Sequence, residues 1–265
     1  MRKGIIVVKV GTAVLGRRLS KKTTQAGRLD PAFIKDLTRQ ICALKKMGFR
    51  VILVSSGAIG AGMEAIGLKK RPQDLNKLQA CAAIGQGKLM KLYEENFRFY
   101  GKHAAQILLT REDFSSEKRI LTAKRTIMSL LNDFNAVPVI NENDTIATEE
   151  IKFGDNDRLS ALVARFAGAG MLIMLTDVDG LYEPKTCGII PLIKKINEKI
   201  EQMAQPHLSL LGKGGMISKI QAAKIATRAG IVSIIANGRK KDVLIDIARK
   251  KPVGTLFLPL KNKRR

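Results

Sequence analysis

The chain has 265 residues, 45% of them hydrophobic and 26% charged, which is enough apolar material for a large core and too much for a disordered or fibrous protein. Its longest apolar run, AGAGMLIML at 167–175, is well short of the roughly 20 residues that span a bilayer, and MRKGIIVVKV reads as a first strand with no leader cleavage site, so a cytoplasmic location is expected. The formal net charge of +24 fits either a nucleic-acid face or a lysine-rich surface that draws anionic substrates, and basic clusters scattered from Arg17 to Arg265 without interleaved aromatics favour the second.

IIVVKV (5–10) is a run of the buried-strand type. Asp30-Pro31 supplies an N-cap followed by proline at the first helical position, which opens a helix that Gly48 closes. VILVSS (51–56) is the next strand, and it runs into GAIGAGMEAIG, which can begin a helix. A longer helix is predicted over about 74–99, a strand at HAAQILLT (103–110), an amphipathic helix over 116–133 and a strand at AVPVIN (136–141). After an acidic stretch follow a helix over 156–167, the strand MLIMLT (171–176), a variable segment, a helix over 216–229 closed by Gly230, and the strand IVSIIA (231–236).

Short apolar runs alternating with helices of ten or more residues imply an α/β protein, a mostly parallel sheet with helices on both faces. Ligands of such sheets sit beyond the carboxyl ends of the strands. The polar and glycine-rich punctuation falls at those ends: KVGT, SSGAIGAG, NEND and TDVDG. Four strand ends are therefore expected to converge on one site.

Lys9 in KVGT is suited to a phosphate, although a plain surface lysine reads the same way. SSGAIGAG offers backbone N–H groups at a helix start, either as an anion site or as a tightly packed helix entrance. LGKGGMISK (211–219) leads glycines into a helix, but Lys213 is followed by Gly214, so it is not a Walker sequence, and a dinucleotide fingerprint, a protein-kinase signature and a G-x-S-x-G elbow are also missing. His103 and His207 accompany no serine or cysteine nucleophile, and Cys42, Cys81 and Cys187 form no CxxC pair, which argues against a zinc site or disulfide framework. NENDTIATEEIKFGDND (141–157) concentrates Glu142, Asp144, Glu149, Glu150, Asp155 and Asp157 in a basic chain. Lysines near glycine-rich turns, an anion nest and clustered acids without a covalent nucleophile fit phosphoryl transfer, with magnesium brought by ATP.

In their order and spacing, KVGT, VSSGAIGAG, VPVINENDTIATEEIKFGDNDRLSA, LTDVDGLY and KGGMISKIQAA resemble the glutamate 5-kinase family of the amino acid kinase superfamily, over nearly the whole chain up to about residue 258. Acetylglutamate kinases, the nearest rivals, have double glycines where this chain reads Lys9-Val10-Gly11-Thr12 and Ser55-Ser56-Gly57-Ala58. The resemblance implies a three-layer αβα sandwich around a mostly parallel open sheet. It also implies one kinase domain over 1–258, mainly glutamate-binding to about 165 and mainly ATP-binding from 166, followed by a basic tail at 259–265. Many relatives carry a further C-terminal PUA domain, of which the final KNKRR shows no sign.

The activity implied is ATP-dependent phosphorylation of the γ-carboxylate of L-glutamate to L-glutamyl 5-phosphate, the first step towards proline, with ATP and Mg2+ as cofactors and no metal ligand from side chains. Carried over by position, Lys9 and Lys219 would hold the transferring phosphoryl group and Asp157 would orient both lysines. Ser56, Gly57, Asp144, Asp155 and Asn156 would bind glutamate, with Asp144 answering its ammonium and Asp155 alternatively capping the next helix. ATP would meet Lys9, Thr176, Asp177 and the loop Lys213, Gly214, Gly215, Met216, Ile217, Ser218 and Lys219, where relatives often have Thr at the position of Lys213. Glu149 and Glu150 would be the solvated arm of a hairpin that closes over glutamate. The family further implies feedback inhibition by proline and a homo-oligomer, dimer or tetramer. The reactivity of an acyl phosphate suggests contact with glutamyl phosphate reductase. A membrane partner and specific nucleic-acid binding are not expected. A sister kinase for N-acetylglutamate or another small acid, and a basic nucleic-acid-binding protein on a kinase fold, remain as alternatives.

Overall fold

A computed structural model describes residues 3–20, 23–146, 155–204 and 215–260. The strands are β1 (Ile5–Val10), β2 (Gly16–Ser20), β3 (Thr23–Leu29), β4 (Arg50–Ser55), β5 (His103–Leu109), β6 (Ala136–Glu142), β7 (Met171–Thr176), β8 (Leu192–Ile193), β9 (Val232–Asn237) and β10 (Thr255–Phe257). The helices are α1 (Thr12–Leu15), α2 (Pro31–Lys46), α3 (Ala58–Ala65), α4 (Leu75–Arg98), α5 (Glu117–Asn132), α6 (Asp155–Ala167), α7 (Glu198–Met203), α8 (Gly215–Arg228) and α9 (Val243–Ala248), with a 3-10 turn at Arg111–Ser115.

Eight strands form one sheet in the order β5-β6-β4-β1-β7-β9-β10-β8, and β2 pairs with β3 in a separate antiparallel ribbon. All neighbours in the large sheet are parallel except β9 and β10. The predicted mostly parallel α/β sheet is therefore present, with an antiparallel turn near one edge. β4 lies on one side of β1 and β7 on the other, so the strand order reverses at β1, the place where open α/β sheets bind ligands.

Alternation along the strands sorts the core into two layers. Ile6, Val8 and Val10 of β1 pack with Phe33 and Leu37 of α2, Leu89, Tyr93 and Phe97 of α4, and Leu244 of α9. Ile5 and Val7 face the other layer, with Ile127 of α5, Leu159 and Val163 of α6, and Ile220 and Ala223 of α8. Lys9 has the parity of Ile5 and Val7, which directs it toward α6 and α8. Ser55 and Asn141 have the parity of Leu53 and Val139, which directs them toward α4.

Helix starts follow local chemistry. Asp30 caps α2 by accepting from the N–H groups of Ala32 and Phe33, and Asp74 caps α4 by accepting from Lys77. Arg239, just past β9, pairs with Asp30, donates to the Gly16 carbonyl and lies 4.7 Å from the Phe33 ring centre, tying the ends of the sheet to α2. Gly57 at φ +108° makes the left-handed entry to α3.

α3 and α4 approach through bare backbone. A Cβ at Gly62 would lie 1.8 Å from the Cys81 carbonyl oxygen, and one at Gly85 would lie 1.8 Å from that of Ala58. Gly85→Ala must push the helices apart and is expected to cost about 1–3 kcal/mol. Thermal unfolding should show a Tm drop of about 2–4 °C per kcal/mol, and an unchanged Tm would refute the tight crossing.

Candidate active site

The centre of the site is a buried carboxylate between two ammonium groups. Lys9, at the end of β1, reaches Asp157 Oδ1 at 2.6 Å, and Lys219 of α8 reaches Asp157 Oδ2 at 3.2 Å. All three are nearly sealed from solvent, at 4%, 2% and 9% exposure for Lys9, Asp157 and Lys219. Ser218 Oγ donates to Asp157 Oδ2 at 2.7 Å, and Lys219 Nζ also donates to the Gly215 carbonyl at 2.9 Å. Burial alone would raise the Asp157 pKa, but Lys9, Lys219 and the Ser218 hydroxyl outweigh it and hold the carboxyl below its ordinary range. Burial lowers the pKa of Lys9, and the charge of Lys219 adds to that, while Asp157 opposes both. The arrangement sets two lysines against one carboxylate at the strand-order reversal.

Polar groups on the neighbouring strand ends form a second cluster. Asn156 Nδ2, one residue before Asp157, donates to Ser56 Oγ at 2.9 Å and to Asn141 Oδ1 at 2.9 Å. Asn141 Nδ2 donates to Gln86 of α4 at 3.0 Å, and Gln86 Nε2 to Gln106 of β5 at 3.2 Å. Ser55 Oγ and Tyr93 OH are 2.7 Å apart in the core, and burial raises the phenol's pKa. Asp144, just past β6, is raised to about 6 by burial, with Arg71 pulling the other way. On the other flank, Thr176 ends β7 buried, its hydroxyl donating to Asp177 Oδ1 at 3.2 Å and its carbonyl accepting from Gly238 N at 2.9 Å. Asp177 is exposed, and beside it Asp179 accepts from Asn237 and pairs with Lys240.

The structure thus brings together Lys9, Lys219, Asp157, Ser56 and Asn156 by direct contact or through one partner, with Gly57 and Asp144 at adjoining strand ends. Met216 and Ile217 turn apolar side chains onto the α6/α8 core layer, leaving their backbone for any polar ligand. Ser218 is engaged with Asp157. Lys213, Gly214, Glu149, Glu150 and the proposed hairpin lie outside the described residues, as does the side chain of Asp155, whose backbone opens α6. Among the described residues no three of His, Cys, Asp and Glu gather as a metal site. His103 is exposed against Glu94 at 3.1 Å, while Cys42 and Cys81 are buried free thiols and Cys187 an exposed one. The sequence reading missed Gln86, Gln106 and Tyr93, whose only signal is polarity on otherwise buried or sheet-facing positions, and the Asp179–Asn237–Lys240 group beyond β7 and β9.

A model of the amino acid kinase family matches residues 4–237. Glutamate 5-kinase from Caldanaerobacter subterraneus is 47% identical over 97% of this chain and 68% of its own length. That from Clostridium acetobutylicum is 46% identical over 97% of this chain and 95% of its own length. Among solved structures, carbamate kinase from Giardia lamblia bound to AMP-PNP superposes with a TM-score of 0.64 at 18% identity, covering 96% of this chain and 98% of that one. UMP kinase from Bacillus anthracis does so with a TM-score of 0.61 at 12% identity, covering 98% of both chains.

The raised pKa of Asp144 has a definite sign for stability. The folded state binds its proton more tightly than the unfolded chain, whose carboxyl titrates near 3.8, so this stabilisation is full below 3.8 and lost as pH rises to about 6. Asp144→Asn is therefore expected to be more stable than the parent at pH 8, by about 3 kcal/mol, with the gain vanishing below pH 4. Denaturant melts at the two pH values test this, and an equal gain at both would contradict it.

Proposed function

Because the chain belongs to the amino acid kinase family, and within it to the glutamate 5-kinases, we propose that the site at the ends of β6, β4, β1 and β7 transfers the γ-phosphoryl group of ATP to the γ-carboxylate of L-glutamate. The product is L-glutamyl 5-phosphate, the first intermediate towards proline. The observation that carries the site assignment is the buried Lys9–Asp157–Lys219 array.

A carboxylate is already ionised at neutral pH, so the nucleophile needs no general base. One of its oxygens forms the new bond to the γ-phosphorus as the bridge to the β-phosphate breaks and ADP departs. Charge spreads over the transferring oxygens, and fixed cations that meet it there lower the barrier. Lys9 and Lys219 supply those cations. Asp157 holds both ammonium groups, favours the charged form of Lys9 against the effect of burial, and offsets the repulsion between them. Magnesium brought in with ATP would supply further neutralisation of the phosphate charge.

Glutamate would lie over Ser56, Gly57 and Asn156, with Asp144 answering its ammonium and Asp155 nearby. ATP would lie over β7 and the start of α8, meeting Lys9, Thr176, Asp177 and the 213–219 segment. Residues up to about 165 thus mainly serve glutamate, and those from 166 to 258 mainly ATP. Proline, which also carries an ammonium and a carboxylate, fits the glutamate side as a feedback inhibitor. Assembly as a homo-oligomer, hand-over of the reactive acyl phosphate to glutamyl phosphate reductase, and a cytoplasmic setting belong to the same reading. No helix among the described residues is long and apolar enough to cross a membrane.

Hydroxylamine trapping of the acyl phosphate, with glutamate, N-acetylglutamate and aspartate as acceptors, tests the activity. Turnover with glutamate and ATP-Mg is expected, and turnover confined to another acid would overturn the substrate. In the same assay Lys219→Met and Asp157→Asn should each lower kcat about 100- to 1,000-fold, while the KM for glutamate changes far less. With the parent enzyme, KM for glutamate should rise about tenfold per pH unit below 6 as Asp144 gains its proton. A flat KM between pH 5 and 7 would remove Asp144 from the ammonium site.

A further inference from the structure

Four side-chain amides form a head-to-tail chain that leads out of the site. Asn156 Nδ2 donates to Asn141 Oδ1 at 2.9 Å, Asn141 Nδ2 to Gln86 Oε1 at 3.0 Å, and Gln86 Nε2 to Gln106 Oε1 at 3.2 Å. The chain crosses from α6 to β6 to α4 to the edge strand β5, and its middle is sealed, with Asn141 at 1% and Gln86 at 8% exposure. Direction matters in such a chain, because every amide has its oxygen on one side and its donors on the other. Asn141 Oδ1 also accepts from the N–H of Glu142 at 2.9 Å, so Asn141 can turn its donors only toward Gln86. At the site end the donors of Asn156 are used, also on Ser56 Oγ at 2.9 Å, and its Oδ1 is buried with no partner among the described residues.

A buried acceptor without a donor is costly until a ligand supplies one. L-Glutamate has two carboxylates, which only accept, and one ammonium, which only donates. The ammonium is thus the group that can answer Asn156 Oδ1. We infer that Gln86 is a positioning residue for substrate selection: through Asn141 it holds the Asn156 amide with its oxygen toward the substrate's ammonium, and so favours a free amino acid over the same diacid without the amine. Gln86 touches no substrate in this arrangement. This inference rests on the glutamate site proposed above, and it deepens that reading by assigning amine selectivity to a residue on α4.

The experiment compares L-glutamate with glutarate, which has the same two carboxylates and no amine, by calorimetric binding and by hydroxamate formation. Parent protein, Gln86→Leu and Gln86→Glu are measured side by side. Gln86→Leu removes the acceptor that orients Asn141, and the preference for glutamate over glutarate should fall about tenfold, the loss expected when a hydrogen bond to a charged group is forfeited. Glutarate affinity and the KM for ATP should be unchanged. Gln86→Glu keeps an acceptor for Asn141, and Gln106 can turn its own amide to donate, so the preference should return.

Equal losses for both acids in Gln86→Leu, or no recovery in Gln86→Glu, would overturn the inference in favour of a purely packing role. If Gln86→Leu fails to show a cooperative melt, Gln106→Leu, at an exposed edge position, tests the same chain, and an unchanged preference there also overturns it. A parent that binds glutamate better than glutarate but forms no hydroxamate would instead count against the proposed reaction, leaving the selectivity readout intact. A parent that binds the two acids equally would overturn the role of Gln86 itself.

Discussion

The site depends on one carboxylate kept ionised inside the protein. Removing Asp157 from water is costly, and so is removing each lysine, yet the three together satisfy one another through contacts of 2.6 and 3.2 Å. Without the carboxylate, two buried cations would face each other and shed protons or move apart. Asp157 therefore fixes the spacing of β1, α6 and α8 at the point where charge must be met. A buried ion array of this kind contributes little to stability in comparison with an apolar core, so its placement is better understood through what it holds ready for an anion.

Strand parity explains how the fold delivers those groups. Lys9 follows Ile5 and Val7 onto the layer of α6 and α8, where Asp157 and Lys219 stand, while Ser55 and Asn141 turn to the opposite layer and meet Tyr93 and Gln86 of α4. Cations are thus gathered on one layer and neutral hydrogen-bonding groups on the other, with Asn156 and Asp157 as adjacent residues serving each. The tight crossing of α3 and α4 fixes the turn at Ser55-Ser56-Gly57 against the helix that carries Gln86 and Tyr93. The strong positive charge of the chain is compatible with two anionic substrates, and the acids near residues 141–157 are its local counterweight.

Most elements were legible because parallel strands buried on both faces are continuous apolar runs, and because caps such as Asp30-Pro31 and stops such as Gly48 and Gly230 have a direct backbone meaning. The ribbon of β2 and β3 was not legible, since GRRLS and TTQAGRL have neither apolar alternation nor a two-residue turn signal. β8 and β10 are two and three residues long, too short for any period. α9 is six residues long, and its N-cap Asp242 is left-handed with no side-chain cap bond, so an Asp before a short apolar run gave little to read there.

The sequence by itself determined the alternation of strand and helix, the parallel sheet, and the strand ends at which Lys9, Ser56, Asp144 and Thr176 stand, because hydrophobic period and turn chemistry are local properties. It also supplied the identities of Asn156, Asp157 and Lys219 through their family pattern. Only the tertiary structure decided that Asp157 touches both lysines at once, that Ser218 faces Asp157, and that Gln86 and Gln106 are joined to Asn156 through Asn141. The physical reason is distance along the chain. Those partners are brought together by the sheet order and helix packing, and an amide inside a long helix looks the same in sequence whether it faces solvent or the far end of a binding site.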